Sequence, residues 1–122
     1  MQNQTLTKSE MNVMNILWDM PEGGTVYDVL DRYVEPKPAY TTVATFMKIL
    51  EKKGYLKAKK LSGRTYTYYI LVTREEYSRR AISDVKKDLF GGSAKSLLSF
   101  FVKEENITKE ELNELISLIK KD

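Results

Sequence analysis

The sequence predicts a mainly α protein with one small β-hairpin, on three observations. Ser/Thr-x-x-Glu boxes mark helix starts at Thr7–Glu10, Thr73–Glu76 and Thr108–Glu111. Apolar side chains recur at three- and four-residue spacing on both sides of a central stretch. Within that stretch, from Tyr55 to Val72, β-rich runs flank Ser62-Gly63-Arg64.

The first helix opens at the Thr7 cap, with Glu10 reaching back and Leu6 stapled to Met11; Val13, Met14, Leu17 and Trp18 form its apolar stripe. Pro21 and Gly23-Gly24 are expected to end it. Thr25 caps a short second helix with Asp28 in its first turn and Val26, Val29 and Leu30 turned inward; Pro36 and Pro38 close it and hold the connection extended. A third helix is expected from about Tyr40 to Lys53. Its apolar side is Val43, Phe46, Met47 and Leu50, and Gly54 follows as the residue beyond its C-cap.

Tyr55–Leu61 and Thr65–Val72 then read as two strands joined at a basic tip. Three short helices followed by a hairpin is the order of a winged helix-turn-helix domain, expected over residues 1–73. Residues 74–122 return to helix. One helix runs to about Leu89, a short one covers roughly 93–102 beyond Gly91-Gly92, and a last one carries Leu112, Leu115, Ile116 and Ile119.

These three helices hold more apolar surface than they can bury by themselves. Ile82, Leu97, Leu98, Phe100, Phe101, Leu115 and Ile119 are expected to pack against a second copy, making residues 74–122 a helical dimerisation domain. Packing of the tail back onto its own N-terminal domain is the alternative.

Composition excludes most chemistry. The chain of 122 residues has neither cysteine nor histidine. Disulfides, thiolate metal sites, a Cys nucleophile and the commonest general base are therefore missing together. Glu75-Glu76 and Glu110-Glu111 stand in first turns, where carboxylates complement the helix dipole, and no catalytic pair is visible. No enzyme activity, cofactor or metal is expected. The first residues lack a basic and an apolar leader segment, and a cytoplasmic location is the expectation.

Charge placement points to a polyanion. Residues 1–39 hold three basic and six acidic side chains, and residues 65–122 hold ten of each. Residues 40–64 hold seven basic side chains against Glu51 alone, a net +6 in one window. Double-stranded DNA is the partner that fits. Thr41, Thr42, Ala44, Thr45 and Lys48 on the free side of the third helix are the candidate major-groove contacts: hydroxyls for phosphates or base edges, a methyl for thymine, an ammonium for guanine or phosphate. Thr41 and Thr42 also suit helix capping. Lys59, Lys60 and Arg64 on the wing are candidate phosphate contacts. Lys52, Lys53 and Lys57 fit either phosphate contacts or a solvated surface. Tyr66, Tyr68 and Tyr69 fit either cross-strand packing or a platform for single-stranded bases. A competing reading is a winged-helix module for protein–protein assembly that does not bind DNA.

The sequence resembles the BlaI/MecI/CopY repressors over nearly its whole length. The likeness is carried by Leu6-Thr-Lys-Ser-Glu, Val13-Met-Asn-Ile-Leu-Trp18, Thr42-Val-Ala-Thr45, Leu50-Glu-Lys-Lys-Gly54, Leu89-Phe-Gly-Gly-Ser-Ala-Lys-Ser-Leu97 and Glu110-Glu-Leu-Asn-Glu-Leu115. The resemblance implies a homodimeric repressor on a palindromic operator, controlling β-lactam resistance or metal handling. It also implies a membrane sensor-protease as partner, which triggers cleavage at an Asn-Phe bond in the short tail helix. Phe100 stands at that Asn here, followed by Phe101, so the site is altered. The copper branch binds metal through cysteines, which this sequence lacks.

Overall fold

A computed structural model describes residues 5–120, with the helical backbone alone at Ile119 and Lys120. Its elements run α1 (Lys8–Trp18), α2 (Val26–Asp31), α3 (Tyr40–Lys52), β1 (Leu56–Ser62), β2 (Thr65–Ile70), α4 (Arg74–Phe90), α5 (Ala94–Glu104) and α6 (Lys109–Lys120). This is the mainly α chain with a two-stranded hairpin that the sequence predicts. The chain forms two compact units, Met1–Tyr77 and Ser78–Asp122.

Local chemistry starts the helices where it was expected to. Thr7 accepts the Glu10 N–H at 3.2 Å while the Glu10 carboxylate accepts the Thr7 N–H at 3.0 Å. Thr25 with Asp28, Thr73 with Glu76 and Thr108 with Glu111 repeat the exchange. Each such cap contributes about 1 kcal/mol by satisfying N–H groups that the helix leaves open.

The first unit has a closed core. Val13, Met14 and Leu17 of α1 meet Val29 of α2, Val43, Met47 and Leu50 of α3, and Tyr55 and Leu56 at the start of β1, all withdrawn from water. Each such aliphatic side chain stabilises the fold by about 1.5–3 kcal/mol. The first turn of α4 belongs to this unit. The Tyr77 ring lies 5.9 Å from both Trp18 and Tyr55, and its hydroxyl accepts the Leu6 N–H at 3.4 Å. The Trp18 indole donates to the Val72 carbonyl at 2.8 Å.

One local expectation is corrected. Gly23-Gly24 does not terminate α1, which ends at Trp18 with Asp19 as C-cap. Gly24 instead forms an isolated antiparallel bridge with Tyr68, donating to its carbonyl at 3.0 Å and accepting its N–H at 2.8 Å. The hairpin thus acquires a third edge partner from a distant loop. Gly23 adopts φ +81, and a Cβ there would stand 2.7 Å from the Tyr68 carbonyl oxygen, so the turn admits only glycine without distortion. In the connection after α2 the Glu35–Pro36 peptide bond is cis.

β1 and β2 pair from Leu56↔Ile70 to Lys60↔Tyr66 and close at Ser62↔Thr65, with Leu61 as the extra residue of a bulge. Gly63-Arg64 makes a two-residue turn with Gly63 at φ +52, as the primed hairpin turns require.

The second unit contrasts with the first. No described side chain of residues 78–118 is buried. Ile82, Leu98, Phe100, Phe101 and Leu115 are exposed and Leu97 is half-buried; the Ile119 side chain lies outside the described residues. Between α5 and α6, Leu98, Phe101, Val102, Ile107, Leu112 and Leu115 line an apolar groove of ≈ 820 Å³. Among the described residues, no helix is long and apolar enough to cross a membrane.

Candidate nucleic-acid interface

Helix α3 carries the candidate contacts, and its periodicity sorts them. Positions 41, 45 and 48 are four and three residues apart, so Thr41, Thr45 and Lys48 stack along one face, and all three are exposed. The opposite face holds Val43, Met47 and Leu50 in the core. That burial fixes the rotation of the helix, and so fixes which stripe faces water.

The structure separates two residues from this stripe. Thr42 stands about a quarter-turn away and lines a different groove, of ≈ 640 Å³, with Ile16, Tyr33, Pro38 and Phe46. Ala44 borders the stripe but is half-buried and packs against the core, so only part of its methyl surface is open.

The capping alternative for Thr41 and Thr42 is settled by the helix start. The N-cap is Ala39, which has no side-chain acceptor, and both threonines lie inside the helix. Thr45 has its own constraint. Its hydroxyl donates to the Thr41 carbonyl at 2.9 Å, one turn back. With that hydrogen committed, the oxygen can still accept, and the side chain stays exposed. Thr45 in this rotamer suits a base amino group or a thymine methyl, and cannot donate to a phosphate.

On the wing, strand alternation divides the cations. Lys60 pairs with Tyr66 in the register and Lys59 with Thr67, so the two lysines lie on opposite faces of the hairpin. The Lys59 ammonium sits 5.9 Å from the centroid of the Tyr69 ring. Lys60 and Arg64 are exposed, Arg64 at the tip of the turn. Tyr68 is buried and Tyr69 half-buried, which leaves Tyr66 as the exposed ring of the three. The tyrosines pack instead of forming a platform. Burial pushes the Tyr68 hydroxyl above its ordinary value, with Glu51, Tyr40 and Tyr66 adding to the effect.

Lys53 is engaged within the domain. Its ammonium lies 2.6 Å from the Glu10 carboxylate and 3.3 Å from the Thr5 carbonyl. Composition alone could not separate it from Lys52 and Lys57, which stay exposed.

A pair that the sequence reading passed over is Tyr27 with Tyr40. The rings stack at 4.6 Å between centroids, joining the first turn of α2 to the first residue of α3. The only sequence signal for it is a large aromatic on the polar side of each helix start. Among the described residues no cluster of His, Cys, Asp or Glu could hold a metal ion.

Comparison with known proteins adds the family. The profile of the family described as "Penicillinase repressor" matches residues 6–121. The methicillin resistance regulatory protein MecI of Staphylococcus aureus (strain N315) is 27% identical over 124 residues, covering 99% of each chain. The penicillinase repressor of Staphylococcus aureus is 25% identical over 114 residues, covering 93% of this chain and 90% of its own. An uncharacterized 16.5 kDa protein of Latilactobacillus sakei is 27% identical over 116 residues, covering 93% and 77%. With the family profile spanning nearly every residue of both units, this chain belongs to the penicillinase repressor family.

Proposed function

We propose that this chain is a transcriptional repressor that binds duplex DNA as a homodimer, laying α3 in the major groove of each half of a palindromic operator. The observation that carries the reading is the exposed stripe of Thr41, Thr45 and Lys48 on a helix whose other face is locked in the core. A helix so fixed presents the same contacts to every groove it enters. Lys60 and Arg64 are the phosphate contacts of the wing. Thr42 and Ala44 take a smaller share, and Lys59 contributes from the opposite face of the hairpin.

Dimerisation is supported by the second unit. Three helices without one buried described side chain cannot offset the entropy of ordering themselves, and a second copy covering Leu98, Phe101 and Leu115 would supply the missing burial. The sequence has no Asn-Phe bond, so release through a sensor-protease of that specificity has no bond to act on here.

The test is a gel-shift titration of the full chain on duplex DNA across a salt series. Binding through several phosphates weakens by about 10³-fold or more between roughly 50 and 200 mM salt. On a selected operator, Thr45→Ala and Lys48→Ala cost about 1–3 kcal/mol, with little effect on unrelated duplex. Salt-insensitive behaviour, or no duplex binding at all, would remove the repressor reading.

A further inference from the structure

Two tyrosines face water at the point where both helices of the helix-turn-helix begin. Tyr27 is 63% exposed and Tyr40 41% exposed, yet their rings are not independent, since they stack at 4.6 Å with 40° between planes. Among the described residues, neither hydroxyl is hydrogen-bonded. A side chain with an apolar ring and a polar tip is normally half covered, its ring packed and its hydroxyl bonded. Here the fold has ordered the rings against each other and left both side chains exposed, with the Tyr40 hydroxyl near enough to Tyr68 to act on it through charge but bonded neither to it nor to any other described group. Neither side chain belongs to the core, in which the neighbouring Val26, Val29 and Val43 are buried.

Their position determines what can cover them. Tyr40 immediately precedes Thr41, the first member of the exposed stripe of α3. Any duplex that receives Thr41, Thr45 and Lys48 in its major groove must bring a strand wall past the start of α3. The major groove is about 12 Å wide, little more than a helix with its side chains, so that wall passes at contact distance. Its chemistry is deoxyribose, which is apolar, flanked by phosphate oxygens, which are acceptors. An open aromatic face with a free hydroxyl donor matches both.

We propose that Tyr27 and Tyr40 form a second, uncharged anchor on the DNA backbone, the rings covering deoxyribose and the hydroxyls donating to phosphate oxygens. The proposal rests on the DNA-binding reading and adds to it a contact that does not depend on charge. It also differs in kind from Lys60 and Arg64. A lysine or arginine that neutralises a phosphate releases counterions and steepens the salt dependence. A phenol hydroxyl is uncharged at neutral pH and does not. The pair should therefore raise affinity without changing the salt slope, and without reading sequence.

The experiment uses the full chain, a mixed-sequence duplex of about 30 base pairs (three helical turns) and fluorescence anisotropy at several salt concentrations. Tyr27→Phe and Tyr40→Phe keep the stacked rings and remove only the hydroxyls, and circular dichroism checks that the fold is retained. Each is expected to weaken binding about fivefold and the double variant more, with the slope of log Kd against log salt unchanged. Lys60→Ala, run beside them, should lower the slope by about 1.

A second measurement does not depend on variants. Tetranitromethane nitration of the wild-type chain, mapped by mass spectrometry, should show Tyr27 and Tyr40 protected by duplex. Unchanged affinity in the double variant, a slope that falls with the hydroxyls, or equal nitration with and without DNA would each overturn the proposal. Duplex binding by the wild type with any of those results removes the tyrosine anchor and leaves the repressor reading standing. Absence of duplex binding by the wild type removes both.

Discussion

The Lys53 ammonium lies 2.6 Å from the Glu10 carboxylate, tying the C-cap of α3 to the first turn of α1. Glu10 is only 4% exposed and serves two partners at once, because the same Oε1 accepts the Thr7 N–H that closes the capping box. The pair holds the far end of α3 against the domain. An error in the rotation of α3 would move Thr41, Thr45 and Lys48 together.

Removing one partner should cost more than removing both. Lys53→Met leaves a carboxylate nearly out of water without its cation, and a loss of about 2–3 kcal/mol in urea unfolding is expected. This lies at or below the foot of the roughly 3–5 kcal/mol range for a fully buried pair, because Lys53 keeps some contact with solvent. Glu10→Gln retains a side-chain acceptor for the Thr7 N–H, and the Glu10→Gln, Lys53→Met double variant should recover part of the loss. Additive single effects would show that the two groups are not coupled.

The same pair predicts an acid limb. Burial alone pushes the Glu10 carboxyl up, but the Lys53 ammonium and the hydrogen bonds with Thr7 outweigh it and hold the group below its ordinary value. A carboxylate held lower in the folded chain than in the unfolded one contributes stability that is complete above the unfolded value of about 4.3. That stability is lost as pH falls through the lower folded value. Unfolding free energy should therefore decline below about pH 4.5, and less steeply in Glu10→Gln. Parallel acid limbs in the two proteins would assign the loss to other groups.

Wing charges should act without regard to sequence. Arg64→Ala and Lys60→Ala are each expected to weaken operator and unrelated duplex alike and to lower the salt slope by about 1. Lys59→Ala should do less, since Lys59 lies on the other face of the hairpin with its ammonium near the Tyr69 ring. A loss confined to operator would mean that the wing reads bases.

The proposed dimer is testable in the groove of the second unit. Phe101→Asp places a carboxylate among Leu98, Ile107 and Leu115, where an apolar partner surface could not accept it. Sedimentation should report a monomer with weakened operator binding. A dimer of unchanged affinity would move the interface away from α5 and α6.

Much of this chain was legible residue by residue, because the signals involved are local. A capping box needs only residues i and i+3, and Thr7–Glu10, Thr73–Glu76 and Thr108–Glu111 all form as their spacing predicts. The inward stripes of α1 and α3 follow from helical period, and the hairpin follows from β-rich runs around a Gly-containing turn. The helices, the wing and the charge window are therefore all written in local sequence.

What only the tertiary structure decided are relationships between residues far apart in sequence. Gly24 and Tyr68 join 44 residues apart, turning an expected helix stop into a sheet edge. Lys53 and Glu10 meet 43 residues apart, removing one lysine from a run whose members look alike on paper. Tyr27 and Tyr40 stack because α2 and α3 cross, and Lys59 parts from Lys60 because strand pairing fixes the faces of the hairpin. Periodicity assigns a side chain to a face of its own element. Which neighbour that face meets is set by packing of the whole domain, and no local pattern contains it.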